Sequence, residues 1–228
     1  DDYSEIWRPA IEDHSQNHKF GIRDVLVTGI RDACERFLTK HPNQMGALLT
    51  ELESRNLFTF KRLELHLLRL FPTGNEKKIA YLLMDEGEFG ERQRLTHEYF
   101  LLAETHASLL SPRQRKTLWS WIEKGGEVDM NVYIKRCKEN GVEPSDEQVE
   151  KYKKNWQMYH LLPFKDIDPA WSKYFEELVA VVGKPEFPSF SSWSGGASWG
   201  YKSSISDEQF NEMKPSEIIE FLKKWEPP

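Results

Sequence analysis

Cysteine is scarce in this sequence of 228 residues: its two copies, Cys34 and Cys137, stand far apart and neither belongs to a CxxC pair. This excludes a disulfide framework and a cysteine-based zinc site. Long hydrophobic runs are missing too, because stretches such as residues 99–103 and 178–182 are far shorter than the roughly 20 residues that span a bilayer. We therefore expect a cytoplasmic protein without a membrane segment.

The sequence also lacks an excess of positive charge. Its 37 acidic and 31 basic residues leave a net charge of -6 at pH 7, whereas a general nucleic-acid binder has a basic face. Short basic runs do occur near positions 113–116, 135–138 and 151–154, with acids interleaved. We interpret them as solvated helix faces with internal ion pairs. Nucleic-acid binding through an aligned set of these runs is kept as an alternative.

What the sequence does contain is an apolar pattern with the period of an α-helix along most of its length. The first stripe comprises Ile22, Leu26, Ile30, Ala33, Cys34 and Phe37, and it predicts a helix that ends before Pro42. Further helices are predicted near 44–54, 58–71, 79–84, 95–110, 112–124, 129–140, 146–162, 169–183 and 215–225. Aromatic residues make up 13 % of the chain, which excludes simple disorder. The predicted fold class is all-α.

Local signals place several helix starts. Ser111 with Gln114, and Ser145 with Gln148, have the spacing of capping boxes. Asp129 is predicted to cap the helix that follows it. Gly87 is expected, with Gly90, to break the helix around 79–84.

Successive helix pairs begin near positions 22, 58, 94, 129 and 169. A spacing of about 35 to 40 residues is typical of an α-solenoid, in which each pair buries its apolar face against its neighbours. Residue-level similarity between the units is weak. We therefore expect an α-solenoid or, as the alternative, an irregular array of helix pairs.

Residues 184–204 differ from the rest, because they are rich in Gly, Ser and Pro and yet carry five aromatic side chains. An irregular segment of this length is usually functional or disordered, and its aromatics argue against disorder. Since exposed tryptophan and tyrosine anchor many interfaces, we predict that Trp193, Trp199 and Tyr201 bind a partner. The alternative is that they cap the open end of the helical stack.

The predicted organisation has three parts. A helical-repeat domain covers residues 1–183, the irregular aromatic-rich loop covers 184–204, and two closing helices at 205–228 pack on the same domain. The first of these helices is predicted from a capping box at 206–209, with Ile205 and Phe210 as a hydrophobic staple. Because the sequence lacks an initiator methionine and ends in Pro227 and Pro228, we expect a piece of a longer protein.

The most ligand-like stretch is residues 12–18. On a helix, His14 and His18 would share one face at a spacing that metals use, with Glu12 or Asp13 as a third ligand. No HExxH motif occurs in the sequence. We expect a capped surface loop here, and we keep a metal-dependent hydrolase that uses His14 and His18 as an alternative function.

Other histidines and one serine motif have structural interpretations too. His66, His97, His106 and His160 lie within helical patterns, where a histidine is usually a satisfied core or interface residue. Residues 196–200, Gly-Ala-Ser-Trp-Gly, match the GxSxG nucleophile elbow. That elbow needs a strand before the serine and a supporting sheet, and the sequence predicts neither.

Two stretches carry a family resemblance: an opening one at residues 7–14 (Trp-Arg-Pro-Ala-Ile-Glu-Asp-His), and a closing one at 206–210 (Ser-Asp-Glu-Gln-Phe) followed by 214–222 (Lys-Pro-Ser-Glu-Ile-Ile-Glu-Phe-Leu). They resemble the helical-repeat (HEAT-like) region of large bacterial multidomain proteins. Some of those carry a nucleotide-triphosphatase or sirtuin-like domain upstream, and several are linked to antiphage defence. The resemblance implies a non-catalytic repeat or sensor segment whose enzymatic domain lies elsewhere, and it carries over no active-site residue.

From these observations we expect an interaction, scaffold or sensor segment of a larger cytoplasmic protein. Its partner would be another protein or other domains of the same polypeptide, because a solenoid offers an extended recognition surface. We expect no catalysis by this chain alone, no cofactor and no resident metal.

Overall fold

In a computed structural model, which describes residues 2–17, 21–90, 96–190, 193 and 213–224, the chain is all-α, and no strand occurs among these residues. The chain divides into two compact units, residues 1–193 and residues 194–228. The structure does not show a solenoid. The predicted domain boundaries at 183 and 204 remain predictions.

The first unit contains eleven described α-helices, joined in places by short 3₁₀ turns. Their bounds are α1 Ser4–Trp7, α2 Ile22–Lys40, α3 Met45–Ser54, α4 Phe58–Leu70, α5 Glu76–Leu82, α6 Glu86–Gly90, α7 His97–His106, α8 Pro112–Lys124, α9 Glu127–Glu139, α10 Asp146–Leu161 and α11 Pro169–Val182. In the second unit the described helix is α12, Pro215–Lys224. The Glu217 carboxylate accepts from the Lys214 backbone N–H ahead of that helix, at 2.7 Å.

The predicted capping boxes are confirmed. At α8 and at α10 the serine side chain accepts from the third helical amide, and the glutamine reaches back to the serine backbone N–H. Asp129, by contrast, was wrongly predicted as a cap. α9 already begins at Glu127 after Gly126, and the Asp129 carboxylate accepts from the Trp156 indole N–H at 3.0 Å.

The helix predicted around 79–84 ends at Leu82, so Gly87 and Gly90, which were predicted to break it, lie beyond its end. They lie within α6, a short helix of five residues that follows α5 after a turn. Phe89 between them is completely buried. Burial of that ring, which is worth about 1.5–3 kcal/mol, outweighs the low helix propensity of the two glycines.

The core runs along the middle of the first unit, where α4 packs against α7 and α3, and α10 packs against α11. Leu67 and Leu68 on α4 and Leu102 on α7 are completely buried. α4 is buried around much of its circumference, through charged side chains such as Arg62 and Glu64 as well as its leucines. Among the described residues, no helix is long and apolar enough to cross a membrane.

α2 turns the predicted apolar stripe away from this core. Ile22 is 78 % exposed and Leu26 58 % exposed, while Ile30 and Phe37 are exposed to a lesser extent. The buried side chains of α2 are those of Asp24, Val27, Arg31, Cys34 and Leu38. Cys34 is the member of the predicted stripe that faces inward. The pattern was therefore right about the helix and wrong about which face is covered.

Candidate functional site

An irregular segment near the amino end lies buried against three helices. This N-terminal segment, residues 8–17, makes hydrogen bonds or ion pairs with α2, α4 and α7. Ala10 and Ile11 within it are completely buried. Backbone N–H and C=O groups that leave water without regular structure need other partners, and here side chains supply them.

Arg62 on α4 and Glu98 on α7 form the centre of these contacts. Their side chains are 1 % and 2 % exposed, and two hydrogen bonds of 2.7 and 2.9 Å join the guanidinium to the carboxylate. Arg62 also donates to the carbonyls of Arg8 and Pro9, and Glu98 accepts from the Ile11 N–H at 2.7 Å. Burial acts to raise the pKa of Glu98, but the charge and hydrogen bonds of Arg62 outweigh it and lower that pKa.

Two more arginines, Arg8 in the segment and Arg31 on α2, join the segment to α2. Arg8 donates to the carbonyls of Ala10 and Asp24 and to the Thr28 hydroxyl. Arg31 donates to the Ile11 carbonyl, and it forms ion pairs with Asp13, Asp32 and Glu35. This arrangement accounts for the reversed face of α2, because Arg31 faces inward to donate to the buried Ile11 carbonyl and Asp24 faces inward to pair with Arg8.

Glu12, the next residue after buried Ile11, lies close to two histidines, His14 and His97. Its carboxylate forms an ion pair with Arg69 and lies 3.5 Å from the Nε2 atom of His97. The neighbouring His97 imidazole is the largest cause that lowers the pKa of Glu12 to about 2, and the Arg69 charge adds to it against the effect of burial. Glu12 is therefore a carboxylate at every physiological pH.

His14 and His97 face the aromatic side chains of the chain that follows α11. The Phe190 ring stacks on His97, with centroids 4.2 Å apart and planes 19° apart, and lies 4.7 Å from His14. Trp193 lies 5.7 Å from His14 and stacks on Phe187 at 4.3 Å. Phe190 is buried, so this contact joins the two ends of the first unit.

The side chains of Ser189, His97 and Glu12 follow the order of an acyl-transfer triad. The Ser189 hydroxyl lies 3.0 Å from the Nδ1 atom of His97, whose Nε2 atom faces Glu12. Phe190, however, covers the same imidazole, which is only 7 % exposed. A substrate needs access to both the nucleophile and its base, and here the base is covered. We therefore interpret the contacts among Ser189, His97 and Glu12 as structural: they fix Ser189 to α7.

The predicted metal ligands are not brought together in the described residues. The Nδ1 atom of His14 accepts from the Gln16 backbone N–H at 3.1 Å, and Asp13 pairs with Arg31. No group of three or more His, Cys, Asp or Glu side chains in the described ranges is placed to hold a metal ion. His18 lies outside the described residues.

Of the three predicted partner-binding residues, the structure describes Trp193. Its side chain is 38 % exposed and its ring stacks on Phe187, so it combines a packed side with an open one. Trp199 and Tyr201 lie outside the described residues, as do the GxSxG match at 196–200 and the predicted staple of Ile205 and Phe210. Their predicted roles remain predictions.

Several lysines of the basic runs pair with acids one helical turn away or nearby. Lys135 faces Glu139, and Lys154 faces Glu150. Arg115 donates to the backbone carbonyls of Ser108, Leu110 and Ile167, which fixes it to the protein. These contacts are those of solvated helix faces and of helix-end packing.

The histidines within helices have partners in the core. His66 lies 2.8 Å from the Glu35 carboxylate, and the His106 Nε2 atom lies 2.9 Å from the Arg69 carbonyl. His160 stacks on Trp156 with centroids 3.6 Å apart. Each of these three histidines therefore has a partner within the protein, as expected for a histidine in a helix.

A second candidate site is the outward face of α2, which we call the α2 face: Ile22, Val25, Leu26, Ile30 and Phe37. Beside it lies an apolar groove of about 190 Å³. The groove is lined by Trp7, Arg23, Leu26, Val27, Ile30, Leu57, Thr59, Phe60 and Leu63. Leu57 on its far side is 51 % exposed, so apolar surface continues from α2 to the start of α4.

Basic side chains border the α2 face. Arg23, Arg36 and Lys40 are exposed on the same helix. The acidic residues of α2 form ion pairs away from this face: Asp24 pairs with Arg8, while Asp32 and Glu35 pair with Arg31. The outward side of α2 is therefore apolar with a positive rim.

Comparison of the chain with family models, with curated proteins and with solved structures finds no significant match.

Proposed function

We propose that this chain is a helical protein-interaction module, and that its α2 face binds an amphipathic helix of a partner protein that carries acidic residues beside its apolar stripe. The single observation that carries the proposal is the orientation of α2. A helix that buries Asp24 and Arg31 while it exposes Ile22, Leu26 and Phe37 has the reverse of the usual arrangement.

The extent of the exposed stripe suits a helical partner. It runs from Ile22 to Phe37, a distance of about 22 Å along the helix axis. Contiguous apolar surface with a polar rim typically marks a protein interaction site, because a single exposed apolar residue is common and a row of them is not. The groove between Trp7, Leu26 and Leu57 offers a recess for one large apolar side chain of the bound helix.

The positive charges beside the α2 face favour a partner helix with acidic residues beside its apolar stripe. Arg23, Arg36 and Lys40 are exposed along the stripe, and none forms an ion pair with another described residue. Opposite charges across an interface speed association and exclude wrong partners. A helix with Glu or Asp beside its apolar stripe therefore fits this surface, and one with Lys or Arg does not.

The resemblance of residues 7–14 to the helical-repeat region of large bacterial multidomain proteins agrees with this role. Trp7 contributes to the groove beside α2, and residues 8–14 set the orientation of α2 through Arg31 and Asp13. On this proposal the chain is a recognition segment of a longer cytoplasmic protein, and an enzymatic domain elsewhere in that protein acts on what the segment recruits.

A peptide-binding experiment tests the proposal. Two labelled amphipathic peptides of about five helical turns share one apolar stripe and differ only in Glu or Lys along its flanks. We expect the Glu peptide to bind with a micromolar Kd by fluorescence anisotropy, and the Lys peptide to bind at least tenfold more weakly. Absence of binding by the Glu peptide, or equal binding of the two, would contradict the proposal.

Variants locate the binding surface. The double substitution Leu26→Glu and Ile30→Glu is expected to weaken binding of the Glu peptide at least tenfold. Tyr81→Glu is the matched control, since Tyr81 is 75 % exposed on α5 and away from α2; it should leave binding unchanged. If instead the free protein sediments as a dimer that the α2 variant dissociates, a second copy occupies the face and the proposal is wrong.

A further inference from the structure

The groove beside α2 has the size and lining of a recess for one aromatic ring. Its volume is about 190 Å³, and in another protein an engineered cavity of about 150 Å³ with leucine, isoleucine and phenylalanine walls binds benzene. Val27 and Leu63 are buried members of the lining, whereas Trp7 and Phe60 are half-buried and keep part of each ring open. A ring that enters the groove therefore meets two other aromatic rings, and such pairs add to the gain from apolar burial alone.

The polar groups of Trp7 and Thr59 in the walls of the groove are already bonded within the protein. The Trp7 indole N–H donates to the Asp2 carbonyl at 3.0 Å. The backbone N–H and the hydroxyl of Thr59 both donate to the Asp2 carboxylate at 2.7 Å. These bonds hold the two wall residues in place and leave mainly apolar surface to an occupant, which favours a hydrocarbon ring over a polar side chain.

Arg23 is the charged side chain among the described residues that line the groove. It is exposed, and its guanidinium carbon lies 5.9 Å from the centroid of the Trp7 ring. Asp24, the next residue in the sequence, pairs with Arg8 instead of Arg23. A guanidinium stacks on aromatic rings through its flat face and binds carboxylates through its N–H edge, so Arg23 is able to contact a ring and an acidic group at once.

The position of Arg23 on α2 sets the spacing of the two groups that it would contact. Leu26 and Val27, which line the groove, follow Arg23 by about one helical turn. Side chains one turn apart share a face of the helix, with Cβ atoms about 5–6 Å from each other. A partner helix that packs along α2 with a ring in the groove therefore brings a residue one turn from that ring close to Arg23.

We propose that the groove and Arg23 together recognise a pair of residues in the partner helix: a phenylalanine that fills the groove, and a glutamate or aspartate one turn away that pairs with Arg23. This inference rests on the proposed function and specifies its partner. The α2 face binds less tightly to an apolar stripe without the phenylalanine, or to one whose phenylalanine lacks the acidic neighbour. Arg23 is thus a specificity-determining residue, whereas Arg36 and Lys40 supply general attraction.

A series of labelled peptides tests the ring. Three helical peptides share glutamate flanks and differ at the central position of the apolar stripe, which is Phe, cyclohexylalanine or Ala. Cyclohexylalanine has a ring of similar size without π-electrons, so burial alone would make it bind at least as tightly as Phe. By fluorescence anisotropy with the whole chain, we expect the Phe peptide to bind about threefold or more tighter than the cyclohexylalanine peptide, and about tenfold or more tighter than the Ala peptide.

A double-mutant cycle tests the acidic partner of Arg23. In a fourth peptide the glutamates one turn before and one turn after Phe are changed to Gln. We expect this change to raise the Kd about threefold for the wild-type chain and to have little effect with Arg23→Gln, because the pair is then already lost. Lys40→Gln is the matched control. Lys40 is an exposed cation about 25 Å further along α2, beyond the screening length of about 8 Å, so the threefold effect should persist.

The outcomes separate this inference from the proposed function. If the glutamate-flanked peptides bind, but cyclohexylalanine equals or exceeds Phe or the glutamate effect persists in Arg23→Gln, recognition of the residue pair is overturned and the proposed function stands. If no glutamate-flanked peptide binds, the proposed function fails and the inference fails with it. The peptide series uses the unaltered protein, so its result does not depend on whether a variant folds.

Discussion

Arg62 and Glu98 form an ion pair that is almost completely excluded from solvent and that joins α4 to α7. The same two side chains hold the carbonyls of Arg8 and Pro9 and the N–H of Ile11. One pair of charges therefore fixes both a helix–helix contact and the path of the N-terminal segment. Buried charges of this kind are tolerated when every donor and acceptor has a partner, as it does here.

Removal of one member of this pair should be strongly destabilising. Glu98→Gln leaves the Arg62 guanidinium buried without a counter-charge, so we expect a loss of about 3–5 kcal/mol in the free energy of unfolding. Urea denaturation followed by circular dichroism measures it.

Arg55→Ala is the control for the buried pair. Arg55 pairs with Glu51 on the surface, where such a contact is worth about 0.3–0.5 kcal/mol. Equal losses for Glu98→Gln and Arg55→Ala would show that Arg62 and Glu98 are hydrated in solution, which contradicts the burial described here.

Glu12 should make the protein sensitive to strong acid. Because its pKa is lowered to about 2 from 4.5, the carboxylate contributes stability that is fully present above pH 4.5 and is lost as the pH falls toward 2. Glu12→Gln should therefore flatten the decline of the melting temperature in that range. The same substitution at exposed Glu104 should leave the decline as it is in the wild-type protein, and a steep decline in Glu12→Gln would contradict the assignment.

Gly126 should not accept a side chain. Its φ is +65°, and a Cβ atom there would lie 2.5 Å from the Trp156 indole, which is buried. Gly141 has a similar φ of +76° but open space around it. We expect Gly141→Ala to cost about 1–2 kcal/mol for its left-handed conformation and Gly126→Ala about 1–3 kcal/mol more. Equal costs in urea denaturation would mean that Trp156 can move aside.

The helices could be predicted from the sequence, because the signals that form each helix lie close together along the chain, whereas the predicted solenoid arrangement is not shown. The 3.6-residue apolar period, proline stops and serine caps such as Ser111 act within a few residues of each other. What these signals do not contain is the direction in which a helix faces. α2 is apolar on its outward side and mixed on its inward side, and only the partners of Arg31 reveal which side is covered.

The candidate site could not be predicted in the same way. Its members come from positions far apart in the chain, since Ile11 meets Glu98 and His97 meets Ser189. Each of these residues taken alone is an ordinary polar residue in a helix or loop. The signal in the sequence is the unusual density of polar residues at 12–18. It indicates the right segment, but it also suggests a metal site, and the described residues do not form one.

The orientation of α2 predicts that two substitutions on that helix differ strongly in their effect on the free energy of unfolding. Leu26→Gln changes a side chain that is 58 % exposed, so it should alter the free energy of unfolding by less than about 0.5 kcal/mol. Leu38→Gln places an amide where the side chain is 1 % exposed, and it should cost about 2–5 kcal/mol.

The most direct test adds the acidic-flanked peptide to the same unfolding measurement. A ligand that binds only the folded state at a hundred times its Kd stabilises it by about 2.7 kcal/mol. The wild-type protein should gain this stability, and Leu26→Gln should lose most of the gain although it is as stable as the wild type alone. If Leu26→Gln already unfolds as easily as Leu38→Gln without peptide, the α2 face is part of the core and is not a docking surface.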